Sequence, residues 1–325
     1  MITFFKKVFL FSIPFICWFF IILIVDPYDY FGISIFENDM IKKEIAIEAD
    51  HGRRYEFIRY RKNPQKNIII GDSQLQHLDE TTIPGGRWAQ LSTPGSGIED
   101  EVYILEELTK HYKLDTVLLG VNPFEFVYQE SATPLPVTKS AYKLTRKPYL
   151  YFFDRCVYSA TFDYIYSITF NKGLITKDTP DMSKDVFWNK QLDFARRHLN
   201  NKTPQKIRVD QLKRIRQLAD EYDFKVISVI PISHTDLYRI YSGYINEELL
   251  PLLSVYTDVI YDFHFPNNFT RDKNNFGDPF HAVNDNDIYV NSLFRGDTTY
   301  CKVISCLEPE RPSCRQTPRR CDNPD

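Results

Sequence analysis

Asn67-Ile68-Ile69-Ile70-Gly71-Asp72-Ser73 decides how this 325-residue chain is read. Three consecutive isoleucines closed by a glycine indicate a short strand buried on both faces, the habit of parallel sheets. Comparable runs follow at Trp88 to Leu91, Thr116 to Val121, Lys225 to Ile230 and Asp258 to Phe263. Helical patterns separate several of them. From Ile98 to Tyr112, apolar residues stand at Ile98, Val102, Leu105 and Leu108; from Val209 to Tyr222, at Leu212, Ile215 and Leu218. Strands alternating with helices imply an α/β protein with a parallel sheet covered on both faces, a three-layer α/β/α sandwich. Residues 67–295 hold this domain. Residues 124–205, rich in Tyr and Phe, are an insertion between the third and fourth strands, either a lid or substrate platform or a helical elaboration.

Upstream, Val8 to Val25 carries no charge, follows Lys6-Lys7 and ends at Asp26. At the usual helical rise it is about 27 Å long, enough to cross a bilayer core. No small-x-small cleavage site follows it, so an uncleaved anchor is favoured over a signal peptide. The lysines place residues 1–7 in the cytoplasm and everything after Asp26 outside it, on the inner membrane's outer side. Residues 26–66 read as a polar connector, and the basic run Arg59 to Lys66 as a solvated stalk. Residues 296–325 read as a disordered, cysteine-bearing tail, since apolar residues are scarce and Cys301, Cys306, Cys314 and Cys321 match no zinc spacing. With Cys156 they make five thiols beyond the anchor, so at least one stays unpaired within the chain. The net charge of -3 is spread without long blocks, which argues against a nucleic-acid groove.

The candidate chemistry falls at strand ends, where open α/β sheets bind ligands. Ser73 follows the first strand through Gly71. Gly95 and Gly97 follow the second, Asn122 the third, and Asp278 and His281 the last. A serine hydroxyl becomes a nucleophile when a neutral imidazole takes its proton, and a carboxylate fixes that imidazole's tautomer. Asp72 is given no chemical role. His77, His234, His264, His51 and His111 read as surface or packed histidines, and no His, Asp and Glu cluster has ligand spacing, so neither metal nor cofactor is expected.

In these blocks the chain resembles the SGNH (GDSL-like) hydrolase family over roughly residues 67–295. Gly71-Asp72-Ser73 is similar to its first block, Gly95 to the second, Gly120-x-Asn122 to the third and Asp278-x-x-His281 to the last. The resemblance implies a flavodoxin-like fold with Ser73 as nucleophile, His281 as general base and acid, and Asp278 orienting His281. It also implies an oxyanion hole of the Ser73 amide, the Gly95 amide and the Asn122 side chain. Gly97 replaces Gly95 if the loop register differs by two. One departure is Pro123, where many members carry an acidic residue after the block-three asparagine.

The order of one span, then Asp26-Pro27-Tyr28-Asp29-Tyr30-Phe31, then the first block resembles envelope proteins of alginate and exopolysaccharide O-acetylation. It is also similar to the anchored protein of teichoic-acid D-alanylation. That likeness implies an acyl group, acetyl foremost, passed through Ser73 to a polysaccharide hydroxyl, with a multi-spanning membrane O-acyltransferase as supplier. A carbohydrate or lipid esterase is the second expectation. A non-catalytic envelope scaffold is the third, disfavoured because Ser73, Asp278 and His281 are all present.

Overall fold

The computed structural model describes residues 2–33, 49–85, 87–127, 135–170, 183–198 and 203–306. Strands β1 (Asn67–Ile70), β2 (Trp88–Gln90), β3 (Thr116–Gly120), β4 (Lys225–Ile230), β5 (Val259–Asp262) and β6 (Lys302–Ser305) form one sheet. Their order is β2-β1-β3-β4-β5-β6, parallel except for β6, which runs antiparallel to β5. Ile68, Ile69 and Ile70 are fully buried, as a strand covered on both faces requires. Each such side chain contributes roughly 1.5–3 kcal/mol by leaving water.

The helices are α1 (Ile2–Val25), α2 (Ala49–Lys62), α3 (Ile98–Thr109), α4 (Leu135–Arg146), α5 (Arg155–Phe170) and α6 (Lys184–His198). They continue with α7 (Lys206–Tyr222), α8 (Thr235–Tyr244), α9 (Leu250–Tyr256), α10 (Asn268–Arg271) and α11 (Asn286–Arg295). The expected amphipathic faces are the buried ones: Ile98, Leu105 and Leu108 on α3, and Leu212, Ile215 and Leu218 on α7. The chain is therefore a mixed α/β protein with a mostly parallel sheet. The insertion supplies α4, α5 and α6.

Helix α1 is long and apolar enough over Phe4–Val25 to cross a membrane. Its carboxyl end is tied down by Asp26, whose side chain accepts hydrogen bonds from the amides of Tyr30 (2.7 Å), Phe31 (2.8 Å) and Gly32 (3.0 Å) and from the Tyr151 hydroxyl (3.0 Å). A second apolar cluster of Ile22, Val25, Tyr28, Tyr30, Ile58, Tyr151 and Val157 joins this junction to α2 and α5.

Two expectations are corrected. Residues 49–60 of the connector are not a free stalk, because α2 is built into the fold: Phe57, Ile58 and Tyr60 are buried, and so are Arg53 and Arg54, while Arg61, Lys62, Asn63, Pro64 and Lys66 of the basic run are exposed as a solvated segment is. Arg61, in the basic run, donates to the Tyr30 hydroxyl (2.6 Å) and the Thr145 carbonyl (2.8 Å) and lies over the Tyr30 ring. Long basic side chains bury their stems while carbonyls and hydroxyls receive their N–H groups, so an Arg-rich helix is compatible with burial of Arg53 and Arg54. The tail is likewise not irregular throughout: Lys302–Ser305 pair with β5, and Cys301 is buried, while residues 307–325 lie outside the described residues. Cys156, Cys301 and Cys306 are free thiols, and Cys314 and Cys321 lie outside the described residues.

Candidate active site

The chain turns direction across the sheet at β1: β2 lies to one side, β3 and the rest to the other. Such a switch opens a crevice at the carboxyl ends of the strands, the usual ligand position in an open α/β sheet. Register places Ile70 beside Leu119, so Gly71 and Gly120 meet just past the paired residues. A Cβ on Gly71 would stand 3.1 Å from the Gly120 Cα, and Gly71 has φ of +157°. Only glycine allows this approach. Ser73 and Asn122 each follow two residues beyond these glycines, which brings the first and third blocks side by side.

Asp278 and His281 lie in a tight turn bounded by the Phe276–Ala282 bridge. Asp278 Oδ1 accepts from the amides of Phe280 (2.8 Å) and His281 (3.1 Å), while Oδ2 is 2.8 Å from His281 Nδ1. The spacing has a physical reason. One carboxylate oxygen closes the turn and leaves the other for the ring three residues on. His281 Nε2 is 2.8 Å from Ser73 Oγ. The two loops are tied by Gln74 Nε2 donating to the Phe280 carbonyl (2.7 Å), and the turn is tied to the β4 end by the His234 amide donating to the Pro279 carbonyl (3.0 Å).

The electrostatics agree with this arrangement. Burial alone would raise the Asp278 carboxyl, but the His281 ring and the two turn amides outweigh it and hold Asp278 below the usual carboxylate range. Burial favours a neutral His281, yet the hydrogen bond and charge of Asp278, with Asp72 and Asp285 behind, raise its pKa. An ionised Asp278 accepts a hydrogen bond from Nδ1–H, which keeps its proton. Nε2 of the neutral ring is then left to accept from the Ser73 hydroxyl.

Asn122 Nδ2 donates to Asp72 Oδ2 (2.8 Å), and Asn122 Oδ1 accepts from the Phe124 amide (3.1 Å). The carboxamide is thereby oriented with one N–H engaged and one to spare. Asp72 Oδ1 accepts from the Gln74 amide (2.9 Å). Burial raises the Asp72 pKa despite the Asn122 contact. Gly95, with φ of +71°, is exposed, whereas Gly97 is buried and donates its amide to Asp100 Oδ2 (3.3 Å) as α3 begins. The Gly97 amide is thus occupied in helix capping.

Arg53 of α2 holds the Gly95 loop from below, donating to the Leu91 carbonyl (2.6 Å) and Ser96 Oγ (2.7 Å). Burial lowers its pKa to about 10 against the pull of Asp100 and Glu101. Glu125 accepts from the Ile98 amide (2.6 Å) and pairs with Arg208 (3.5 Å). Its carboxyl is pushed up by burial, as are those of Asp100 and Glu101. Pro123 follows Asn122, and Glu125 places a carboxylate two positions after it.

Beside Asn122 lies a small cavity of about 10 Å³ lined by Gln74, Phe124, Pro231, Tyr241, His264 and Phe280. His264 Nδ1 meets the Ser233 hydroxyl, and burial lowers the ring to about 3, so it is neutral. His264 and His234 are packed as expected, His234 Nδ1 accepting from the Asp236 amide at the start of α8.

Of the expected site residues, Ser73, His281 and Asp278 are joined in one hydrogen-bonded chain, and Asn122 stands beside them through Asp72. Gln74 and Arg53 were not singled out from sequence, and Asp72 was given no chemical role there. Asp72 had a signal, its place inside the first block; Arg53 had none, because nothing local distinguishes it from Arg54 or Arg59. No family model matches the chain, and no curated protein matches it.

Proposed function

We propose that this chain is a serine acyl-transfer enzyme of the SGNH type, built on a flavodoxin-like three-layer sandwich and held to the membrane by α1. The sheet order supports the fold reading, since 2-1-3-4-5 is the doubly wound order with its switch at β1 and β3. The activity reading rests on one observation: Ser73 Oγ, His281 Nε2, His281 Nδ1 and Asp278 Oδ2 are linked by two 2.8 Å contacts.

In the proposed reaction, His281 takes the Ser73 proton as Oγ attacks the acyl carbonyl. The developing oxyanion is met by the Ser73 and Gly95 amides and the second Asn122 N–H, donors worth on the order of 2.7–4 kcal/mol each. His281, now protonated, gives its proton to the leaving oxygen. It then takes a proton from the acceptor hydroxyl, which attacks the acyl-Ser73 ester, and returns that proton to Ser73 Oγ as the serine leaves. The acceptor in this reading is an envelope or exopolysaccharide hydroxyl on the extracytoplasmic side of the cytoplasmic membrane, with a multi-spanning O-acyltransferase as acyl supplier.

Hydrolysis is the second reading, favoured by the 37 % exposure of the His281 side chain, which leaves the base open to water. Both are tested by giving the detergent-solubilised chain a chromogenic acetyl ester with and without an oligosaccharide. The transferase reading expects ester turnover lost in Ser73→Ala and acetylated sugar in the presence of acceptor. Turnover without acetylated sugar selects the esterase, and full turnover in Ser73→Ala overturns the nucleophile.

A further inference from the structure

We propose that helix α5 and the turn before it, Pro148–Phe153, are a second membrane-seated element that lies against α1 in the lipid. The inference rests on reading α1 as a bilayer-spanning anchor. Trp18 of α1 stacks on Tyr158 (5.4 Å between ring centroids) and Phe162 (4.8 Å) of α5. Phe19 meets Phe152 (5.3 Å) and Phe153 (5.7 Å) from the preceding turn. Aromatic rings thus collar α1 at the level of residues 18 and 19.

The level of that collar is what points to lipid. Val25 ends the apolar span, and Trp18 stands seven residues before it, about 10 Å down the helix axis. A helix that fills the hydrocarbon core, about 30 Å thick, carries whatever packs at Trp18 to that depth. Interfacial helices sit about 5–10 Å into the headgroup and acyl boundary, and Trp and Tyr gather there.

The outward surface of this element has the matching chemistry. Phe153 is 66 % exposed, Phe162 60 %, Phe170 59 % and Tyr149 59 %, on a stretch whose charged groups are Asp154, Arg155 and Asp163. Asp154 is engaged by Arg54 (2.9 Å) and by the Cys156 amide (2.9 Å), Arg155 pairs with Asp50 (3.2 Å), and Asp163 is half-buried. Few charges, two of them ion-paired, with large rings facing out suit an interface, whereas so many exposed aromatics on one short stretch are costly in water. The occupant of this face is the bilayer leaflet that holds the Val25 end of α1, continuous with the anchor's own lipid-facing surface. Together with the Asp26 junction, two elements then fix the domain's orientation on the membrane.

The test uses the full chain in nanodiscs. A lipid-soluble carbene precursor labels groups in acyl chains, and hydroxyl radicals generated in water label exposed rings; peptide mass spectrometry reads both. The expected result is carbene adducts on Phe153, Phe162 and Phe170 together with Phe9, Phe11 and Phe15 of α1. Radical oxidation of the three α5-side rings should be severalfold below that of Tyr222, which is only 37 % exposed. Carbene adducts on α1 alone, with Phe153 and Phe162 oxidised from water, overturn the inference and leave the anchor standing. Absence of adducts from α1 as well overturns the anchor reading itself. Protection of the α5 rings from both reagents indicates a protein neighbour, such as a second copy, and also overturns the proposal.

Discussion

At Ser73, reactivity depends on whether His281 Nε2 holds a lone pair, so pH dependence follows from what surrounds that ring. Asp278, Asp72 and Asp285 favour its protonated form, and the raised pKa places the inflection above the ordinary 6.5. His281 must be neutral to act as base, so kcat/KM is expected to rise with pH through that inflection and to fall as pH drops below it. Asp278→Asn removes the charge and the correct tautomer partner. It should lower the inflection and reduce kcat by about 10⁴-fold, read from pH–rate profiles of the two proteins. An inflection unchanged in the variant would mean that Asp278 does not govern the ring. The meeting of Ser73, Asp278 and His281 was legible in sequence because a serine–imidazole–carboxylate chain admits few residue types. Asp72 was not, since a carboxylate after a strand-end glycine looks like any turn residue until Asn122 is seen beside it. Gly95 and Gly97 were separable only through the Asp100 cap.

Among the elements, β1 was readable because a strand buried on both faces has no polar side to obscure it. Helix α2 was unreadable for the opposite reason. Its sequence, Ala49 to Lys62, is charged almost throughout, and burial of Arg53 and Arg54 depends on partners far along the chain, Leu91, Ser96 and Asp154. The four residues of β6 are too few to show a period, and only pairing with β5 reveals them. Arg53 gives α2 a role in the site as well as in the core. Arg53→Met leaves the Leu91 carbonyl without that donor and Asp100 and Glu101 without their nearby cation. The expected cost is about 3–5 kcal/mol of stability, measured by denaturant unfolding in detergent, with a fall in kcat as the Gly95 loop loosens. A variant as stable and active as the parent would show that the loop holds its shape without α2.

At the scale of the whole molecule, stability itself carries a pH signature. Burial pushes the Asp285 carboxyl from 3.8 up to about 7, against the pull of His281. The fold therefore favours its protonated form. That contribution is full below 3.8 and is lost as pH rises through about 7. Thermal midpoints are expected to fall between pH 5 and pH 8, and Asp285→Asn, neutral throughout, should flatten that fall; an unchanged slope would assign it to other groups. Architecture was largely legible, because five parallel strands and their helices announce themselves by period and spacing. The junction of α1, α2 and α5 was not, since it is assembled from segments more than a hundred residues apart, as Asp26 and Tyr151 show. The account as a whole stands on Ser73 being an activated nucleophile. The most direct measurement is intact-mass analysis of the full chain after a fluorophosphonate, which phosphonylates such serines with loss of fluoride. One adduct per chain, mapped to Ser73 and absent from Ser73→Ala and His281→Ala, is the predicted result; a folded chain that remains unmodified, or is modified elsewhere, would contradict it.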